Sequence, residues 1–325
     1  MDCLYVVIAF AFSTIYAGKA MRHCINKGLY DQVTKRSSHK QPTPRGGGYS
    51  FVNVISIFAL IWLNIGEPSA HLSFLNTLFL GGIFISYLGW LDDNHNINPL
   101  LRLSCHIAMV SICTFMLPVL SGGLIPFWIE KVLIVLAWVW FLNLYNFMDG
   151  IDGIAATQAA ILAFMLSILL PEIKPIMLVI IGCMVGFLRF NWHPARIFMG
   201  DVGSTYLGFV LGGLFIYNLQ FNFVGEIWVG LIITSVFVVD ATFTLIKRAF
   251  NGKKPWQAHK EHFYQRAVLV GMSHEDVVKR VIVLNLLFMI FALLAHLTHL
   301  GMPLFIITLV ILASVAVRIR YLEGK

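Results

Sequence analysis

Asp92 and Asp93 stand side by side in Leu91-Asp92-Asp93-Asn94. Adjacent carboxylates repel, so such a pair persists when solvated or when it shares a proton or a metal. A hard cation such as Mg²⁺ takes a few carboxylates together with water and phosphate oxygens, which this pair supplies. The plain alternative is a solvated acidic helix end. A second group, Asn143, Asn146, Asp149 and Asp152, recurs every third residue, so the side chains form a slowly drifting stripe on one helix face. Gly150 and Gly153 leave room there for a turn or a closely approaching ligand. Asparagines in a buried helix also serve simply to bond neighbouring helices, yet that packing does not require the two acids that end the stripe.

A third segment runs Phe190-Asn191-Trp192-His193-Pro194-Ala195-Arg196-Ile197-Phe198-Met199-Gly200-Asp201-Val202-Gly203-Ser204. Asp201 fits a helix N-cap, and the same geometry sets a carboxylate beside exposed N–H groups suited to a metal–phosphate complex. In the fourth, residues 247–280, His259, His262 and Arg266 lie among lysines and aromatics. Two histidines alone fall short of a zinc site, whereas this mixture suits an anionic phosphate and a ring; a solvated basic loop is the plain alternative. The fifth, Gln41-Pro42-Thr43-Pro44-Arg45-Gly46-Gly47-Gly48, reads either as a Pro/Gly turn or as backbone N–H groups opened to an anion beside Arg45. It lacks the Gly-Lys-Ser/Thr ending of a P-loop. Asp240, inside an apolar run, is a further candidate because an intramembrane acid is costly.

The elements that must position these residues are membrane helices. Of 325 residues, 58% are hydrophobic and 12% charged, with a mean hydropathy of +0.81, against roughly 25% charged in soluble domains. Apolar runs approaching the roughly 20 residues that span a bilayer recur along nearly the whole chain. They predict an all-α polytopic membrane protein of about eleven spans in one bundle: 4–17, 49–65, 72–91, 101–117, 131–147, 154–170, 176–190, 204–219, 227–246, 281–295 and 303–317. Residues 1–325 read as a single integral-membrane catalytic domain, its first segment a retained helix. All but Lys131 and Lys174 of the 23 Lys and Arg residues fall on alternate connections, which predicts N-out, C-in topology with cytoplasmic loops at 18–48, 91–100, 148–153, 189–203 and 247–280. The net charge of +7 is then a topology and headgroup signal that needs no nucleic acid. Glu67, Glu130, Glu172 and Glu226 fall singly in the outer connections, where they read as solvated loop charges. The five cysteines are scattered and read as small apolar residues. All five motif segments lie on the predicted cytoplasmic face.

Together these segments, Pro-Thr-Pro-Arg-Gly-Gly, Leu-Asp-Asp, Asn-x-x-Asn-x-x-Asp-Gly-x-Asp-Gly, Phe-Met-Gly-Asp-x-Gly-Ser and the His-containing last loop, resemble the polyprenyl-phosphate N-acetylhexosamine-1-phosphate transferases (glycosyltransferase family 4). The resemblance spans residues 42–266 and implies a ten- or eleven-helix fold, a Mg²⁺ cofactor with Mn²⁺ as an alternative, and a UDP-N-acetylhexosamine donor. A polyprenyl-phosphate oxygen would attack the sugar-proximal phosphorus and release UMP, at the cytoplasmic face of a bacterial inner membrane. By motif, Asp92 and Asp93 would deprotonate or orient the lipid phosphate. Asp201 would ligate the metal with Asp93 and Asp152, and Asn146, Asp149 and Asp152 would line the nucleotide–metal site. His259, His262 and Arg266 would grip the donor, with Arg45, Asn143 and Asn191 as further substrate contacts. His-Lys-Glu-His-Phe-Tyr-Gln-Arg resembles the branch that initiates O-antigen or related surface glycans, and the family is compatible with a homodimer. Two other classes compete: an ion-coupled secondary transporter, which would set its acids near the midplane, and a lipid-binding scaffold, which would not need the acids of the Asn/Asp stripe.

Overall fold

The computed structural model describes residues 2–31, 41–65, 72–254, 257 and 259–324. Parts of the expected loops 18–48 and 247–280, among them Lys35, Arg36 and Lys40, lie outside the described residues, as does Glu67. The chain forms α1 (Asp2–Lys27), α2 (Tyr49–Ile65), α3 (Leu72–His95), α4 (Pro99–Met116), α5 (Phe127–Phe147), α6 (Ile154–Leu169), α7 (Lys174–Asn191), α8 (Asp201–Asn218), α9 (Phe223–Phe250), α10 (Phe263–Leu269), α11 (His274–Leu297) and α12 (Gly301–Glu323). A two-residue antiparallel pair, β1 (Tyr30–Asp31) with β2 (Thr43–Pro44), closes the connection from α1 to α2.

Apart from the short α10, the helices correspond one for one to the eleven expected spans. Eight segments are long and apolar enough to cross a bilayer, and α2 and α6 are shorter apolar helices. The remaining helix, α8, has a different chemistry for a physical reason. All of it except Ile216 is buried, so it faces other helices rather than lipid. Its small residues admit the neighbours: a Cβ on Gly208 would stand 2.9 Å from the Leu142 carbonyl oxygen of α5. Close backbone approach of this kind is how helices associate where no water drives them together.

Several boundaries differ from the sequence reading. Helix α3 continues to His95, so Asp92 and Asp93 occupy its last turns, and α4 begins at Pro99, which puts Arg102 in its first turn. Asn98 caps α4 by accepting from the Leu100 N–H, and Pro99 fills the first position, where no N–H is needed. The α10 turn within the last loop was not expected.

The far end of the bundle also corrects an expectation. Glu130 and Glu226 are buried, not solvated. Glu130 accepts from the Leu120 and Ser121 N–H groups, each at 2.9 Å, while Lys131 donates to the Thr114, Leu117 and Pro118 carbonyls that end α4. Glu226 accepts from Asn218 at 2.6 Å and lies 2.6 Å from the His296 ring. These charges satisfy backbone and side-chain groups that otherwise lack partners at helix ends.

Candidate active site

The site forms where the ends of α3, α4, α5 and α8 meet. Gly200, at φ 74°, precedes α8 and has no side chain with which to cap it. Asp93 performs that task from α3, accepting from the Asp201 N–H at 3.2 Å and the Val202 N–H at 3.4 Å. A carboxylate is favoured at a helix N-terminus by the exposed N–H groups and the dipole. The approach depends on glycine, since a Cβ on Gly200 would lie 2.6 Å from Asp93 Oδ2 and one on Gly89 would collide with the Asp201 carbonyl.

Arg45 reaches this point from the α1–α2 connection. The Gly46 and Gly47 N–H groups donate to the Phe198 carbonyl and the Gly48 N–H donates to Met199. The glycine N–H groups are therefore spent on the 198–199 loop, which favours the Pro/Gly-turn alternative over the anion-binding one. What they do is seat Arg45, whose Nη2 lies 2.6 Å from Asp93 Oδ1 and 2.7 Å from Asp201 Oδ1. Arg102 pairs with Asp92 and, at 2.9 Å, with Asp201 Oδ2. Asn146 donates to the same oxygen at 3.2 Å and accepts from the Ser204 hydroxyl at 2.7 Å. Asp201 thus stands at the centre, between two guanidinium groups and an amide.

Asp149 and Asp152 leave the same loop for different surroundings. Asp149 is half-buried and has no side-chain hydrogen bond or ion pair among the described residues. Burial first, and then the negative charge of Asp201, push its carboxyl up to about 7. Asp152 is buried against His193 Nδ1 at 2.6 Å, His274 Nδ1 at 3.3 Å and the Ala195 N–H at 3.1 Å. Burial raises this carboxyl too, but the bonds from His274 and His193 outweigh it and hold Asp152 below its ordinary value. Asn191 braces the region, accepting from the Gly153 N–H at 3.1 Å and donating to the Ile197 carbonyl at 3.0 Å.

The last loop forms a separate platform. Asp240 accepts from the Phe263 and Tyr264 N–H groups at 2.9 and 3.1 Å, so this intramembrane acid anchors the start of α10. The Tyr264 hydroxyl then donates to the Phe147 carbonyl at 3.0 Å, and Gly150 lies so close to that hydroxyl that a Cβ would collide. His259 and His262 have ring centroids 4.7 Å apart, and burial lowers His259 to about 4. Arg266 is tied to Glu323 at the end of α12, its Nε 2.6 Å from Oε1.

Of the residues singled out from sequence, Asp92, Asp93, Asp201, Arg45 and Asn146 are in one bonded cluster, with Asp149 beside it. Asp152 and Asn191 belong to the adjoining histidine cluster. Asn143 donates back to the Val139 carbonyl of its own helix at 2.7 Å. Of the platform residues, His262 stacks on Tyr264, which reaches the 147–150 turn, while His259 packs on His262 and Arg266 is tied to Glu323. Sequence reasoning missed Arg102, His193, His274 and Ser204. Arg102 was counted only as a topology charge, although its place just past the Asn-Pro cap facing Asp92 was a usable signal.

Asp93, Asp149, Asp201 and the Asn146 amide bring oxygens, the ligand type a hard cation such as Mg²⁺ prefers, to one junction, and Asp149 has no hydrogen-bond partner among the described residues. Asp152 with His193 and His274, their donor atoms within 4.8 Å of one another, is nitrogen-rich and suits borderline ions better.

The family model for glycosyl transferase family 4 matches residues 75–218, which hold every acid of both clusters. The chain is 30% identical to a probable undecaprenyl-phosphate N-acetylglucosaminyl 1-phosphate transferase of Bacillus subtilis (strain 168), over 94% of this chain and 89% of that protein. It is 26% identical to a decaprenyl-phosphate N-acetylglucosaminephosphotransferase of Mycolicibacterium smegmatis, over 78% and 72%. It is 27% identical to a phospho-N-acetylmuramoyl-pentapeptide-transferase of Chlamydia abortus, over 90% and 95%. With this likeness running nearly end to end and every motif acid gathered at one end of the bundle, the chain belongs to glycosyl transferase family 4, the polyprenyl-phosphate N-acetylhexosamine-1-phosphate transferases.

Proposed function

We propose that this enzyme transfers an N-acetylhexosamine-1-phosphate from a UDP-sugar to undecaprenyl phosphate, releasing UMP, at the cytoplasmic face of a bacterial inner membrane. The product would start a lipid-linked surface glycan, O-antigen among them. The observation that carries this reading is the convergence of Asp93, Asp149 and Asp201 with Arg45 and Arg102 at the junction of α3, α4, α5 and α8.

Both substrates carry phosphate, so the site must offset their mutual repulsion as well as the charge that develops when the new phosphorus–oxygen bond forms and the bond to UMP breaks. Asp201 with Asp93 and Asp149 would hold a Mg²⁺ ion here, and that ion would supply positive charge against the two phosphates. Arg45 and Arg102 add fixed positive charge and bind phosphate in a defined direction. Asp93 orients Arg45 and the start of α8, while Asp149, unpaired and with its carboxyl near neutrality, is suited to take the acceptor phosphate's proton. Desolvation among the buried helix ends strengthens each of these interactions. A transporter reading is less well supported, because the motif acids gather at one end of the bundle.

The test is purified protein with undecaprenyl phosphate, Mg²⁺ and a panel of UDP-sugars, scored for UMP and lipid-linked product. Mg²⁺-dependent UMP release with one N-acetylhexosamine donor is the expected result. Absence of product with every UDP-sugar, in protein that remains folded, would overturn the reading.

A further inference from the structure

Asp152, His193 and His274 come from three separate parts of the chain: the loop before α6, the 193–195 loop and the first turn of α11. Both imidazoles turn Nδ1 toward the same carboxylate oxygen, Oδ2, His193 at 2.6 Å and His274 at 3.3 Å, with ring centroids 5.1 Å apart. The ligand atoms lie within 4.8 Å of one another. Four-coordinate Zn²⁺, with bonds of about 2.0–2.2 Å, holds its ligand atoms roughly 3.3 Å apart. A small ring movement therefore turns a hydrogen-bonded group into a ligand set.

The scaffold around these atoms is fixed without any ion. Asn191 links the Gly153 N–H to the Ile197 carbonyl, so the loops that bear Asp152 and His193 are held together. Ser273 caps α11 by accepting from the Asp276 N–H at 3.1 Å, which sets His274 at the helix start. The Ala195 N–H donates to Asp152 Oδ2 at 3.1 Å and orients the carboxylate. Asp152 and His274 are buried while the His193 side chain is 35% exposed, which leaves an entry path for an ion and room for a water ligand.

Other histidine–carboxylate contacts lack this combination. Asp240 faces His262 at 3.4 Å, but its two oxygens already accept from the Phe263 and Tyr264 N–H groups. Glu226 meets a single imidazole, that of His296. Among the described residues, Asp152, His193 and His274 are the one group of three such side chains whose ligand atoms converge. Their bonds are separate from those of the Asp93 and Asp201 carboxylates that Arg45 bridges.

We infer that Asp152, His193 and His274 form a second metal site, for Zn²⁺ or a similar borderline divalent ion, with water in the fourth position. Two nitrogens and one oxygen favour such an ion over Mg²⁺, which takes oxygens. Mn²⁺ stands lowest in the affinity order of the first-row divalent ions and is left to the oxygen cluster. The ion bridges the loop before α6 to the 193–195 loop and the start of α11, and so fixes Asp152. Its open fourth position makes it exchangeable, unlike a closed structural ion.

The test uses the full-length purified protein, stripped with a chelator and then titrated with Zn²⁺ or Co²⁺ in saturating Mg²⁺. One Zn²⁺ per chain, and one Co²⁺ with the visible spectrum of a four-coordinate ion, is the expected result. Changing a residue that only orients a ligand costs about 10- to 100-fold in metal affinity, so losing a ligand in His193→Ala or His274→Ala should weaken the Zn²⁺ Kd by about 100-fold or more. Asp201→Asn should leave that Kd within about threefold. Zn²⁺ should also raise the thermal midpoint of the wild type and leave that of His193→Ala unmoved, a comparison that does not depend on how well His274→Ala folds. No Zn²⁺ retained against Mg²⁺, undiminished binding in both histidine variants, or loss of the ion in Asp201→Asn would overturn the site. Binding needs neither donor nor acceptor, so the outcome is independent of the transferase reading.

Discussion

Asp149 and Asp152 stand three residues apart in one loop, and their surroundings drive them in opposite directions. Asp149 meets burial and the charge of Asp201, with no partner among the described residues, so its carboxyl rises to about 7. Asp152 meets two imidazoles and an N–H, and falls below its ordinary value. One motif therefore supplies both a proton-accepting carboxylate and a fixed anion. The difference lies in what the neighbouring chain segments bring: α8 presents Asp201 to the first, while the 193–195 loop and the start of α11 present His193 and His274 to the second. Pairs of like groups pushed apart in this way are how one site divides acid–base work from charge holding.

The largest expected effect comes from the group that both arginines share. Asp201→Asn should lower kcat/KM by about 10³-fold or more, with helicity and thermal midpoint near wild type. Activity within tenfold of wild type would remove Asp201 from the centre. Asp93→Asn should follow closely, because it loosens both Arg45 and the α8 N-terminus.

The next effect separates the two loop acids by pH. A carboxylate must lose its proton to bind a cation, and Asp149 is half-protonated near 7. The apparent Kd for Mg²⁺ should therefore weaken by about tenfold between pH 8 and pH 6 in the wild type. Asp149→Asn should bind more weakly throughout and show a shallower slope, whereas an undiminished slope in the variant would assign the proton elsewhere. Asp152 should contribute none of it, being ionised across this range.

A smaller effect is expected from the imidazoles. His274→Ala should lower turnover by about 10- to 100-fold through misplacement of Asp152, the usual range for a residue that orients another. It should also change stability with a definite sign. Because Asp152 is depressed in the fold, its contribution is present above the ordinary carboxyl value of 3.8 and is lost as pH falls through the lower folded value. The thermal midpoint of His274→Ala should thus trail wild type at pH 6, and the gap should close toward acid. A gap that widens toward acid would reverse the assignment. The smallest effect is expected at Asp240→Asn, a carboxylate-to-amide change that weakens the hold on α10, with a KM increase for the donor of about threefold and little change in kcat.

Much of this was legible in the chain because helix-end chemistry is local. The apolar runs located every helix of the bundle except the short α10, and alternate charge gathered Asp92, Asp149 and Asp201 toward one end. Arg102, His193 and His274 were harder to read because their role depends on packing between segments far apart in sequence. Arg102 pairs with Asp201 across 99 positions, and His274 reaches Asp152 across 122. Apart from the place of Arg102 just past the Asn-Pro cap, nothing in the local sequence distinguishes such residues from loop charges. Gly46 to Gly48 could be read two ways for a related reason. Their N–H groups looked open until the 198–199 loop supplied carbonyls for them. Glu130 and Glu226 were misjudged because a buried carboxylate, whether held by backbone N–H groups as Glu130 is or by an amide and an imidazole as Glu226 is, has the same local signature as a solvated one.

The most direct measurement is Mn²⁺ electron paramagnetic resonance on the purified protein, using Mn²⁺ as a visible substitute for Mg²⁺ and adding the UDP-sugar donor. One bound Mn²⁺ per chain, with coupling to donor phosphorus and loss of the signal in Asp201→Asn but not in His193→Ala, is the predicted outcome. Undiminished Mn²⁺ binding in Asp201→Asn, or loss of the ion only when His193 is removed, would contradict an oxygen-ligated ion held where α3, α5 and α8 converge.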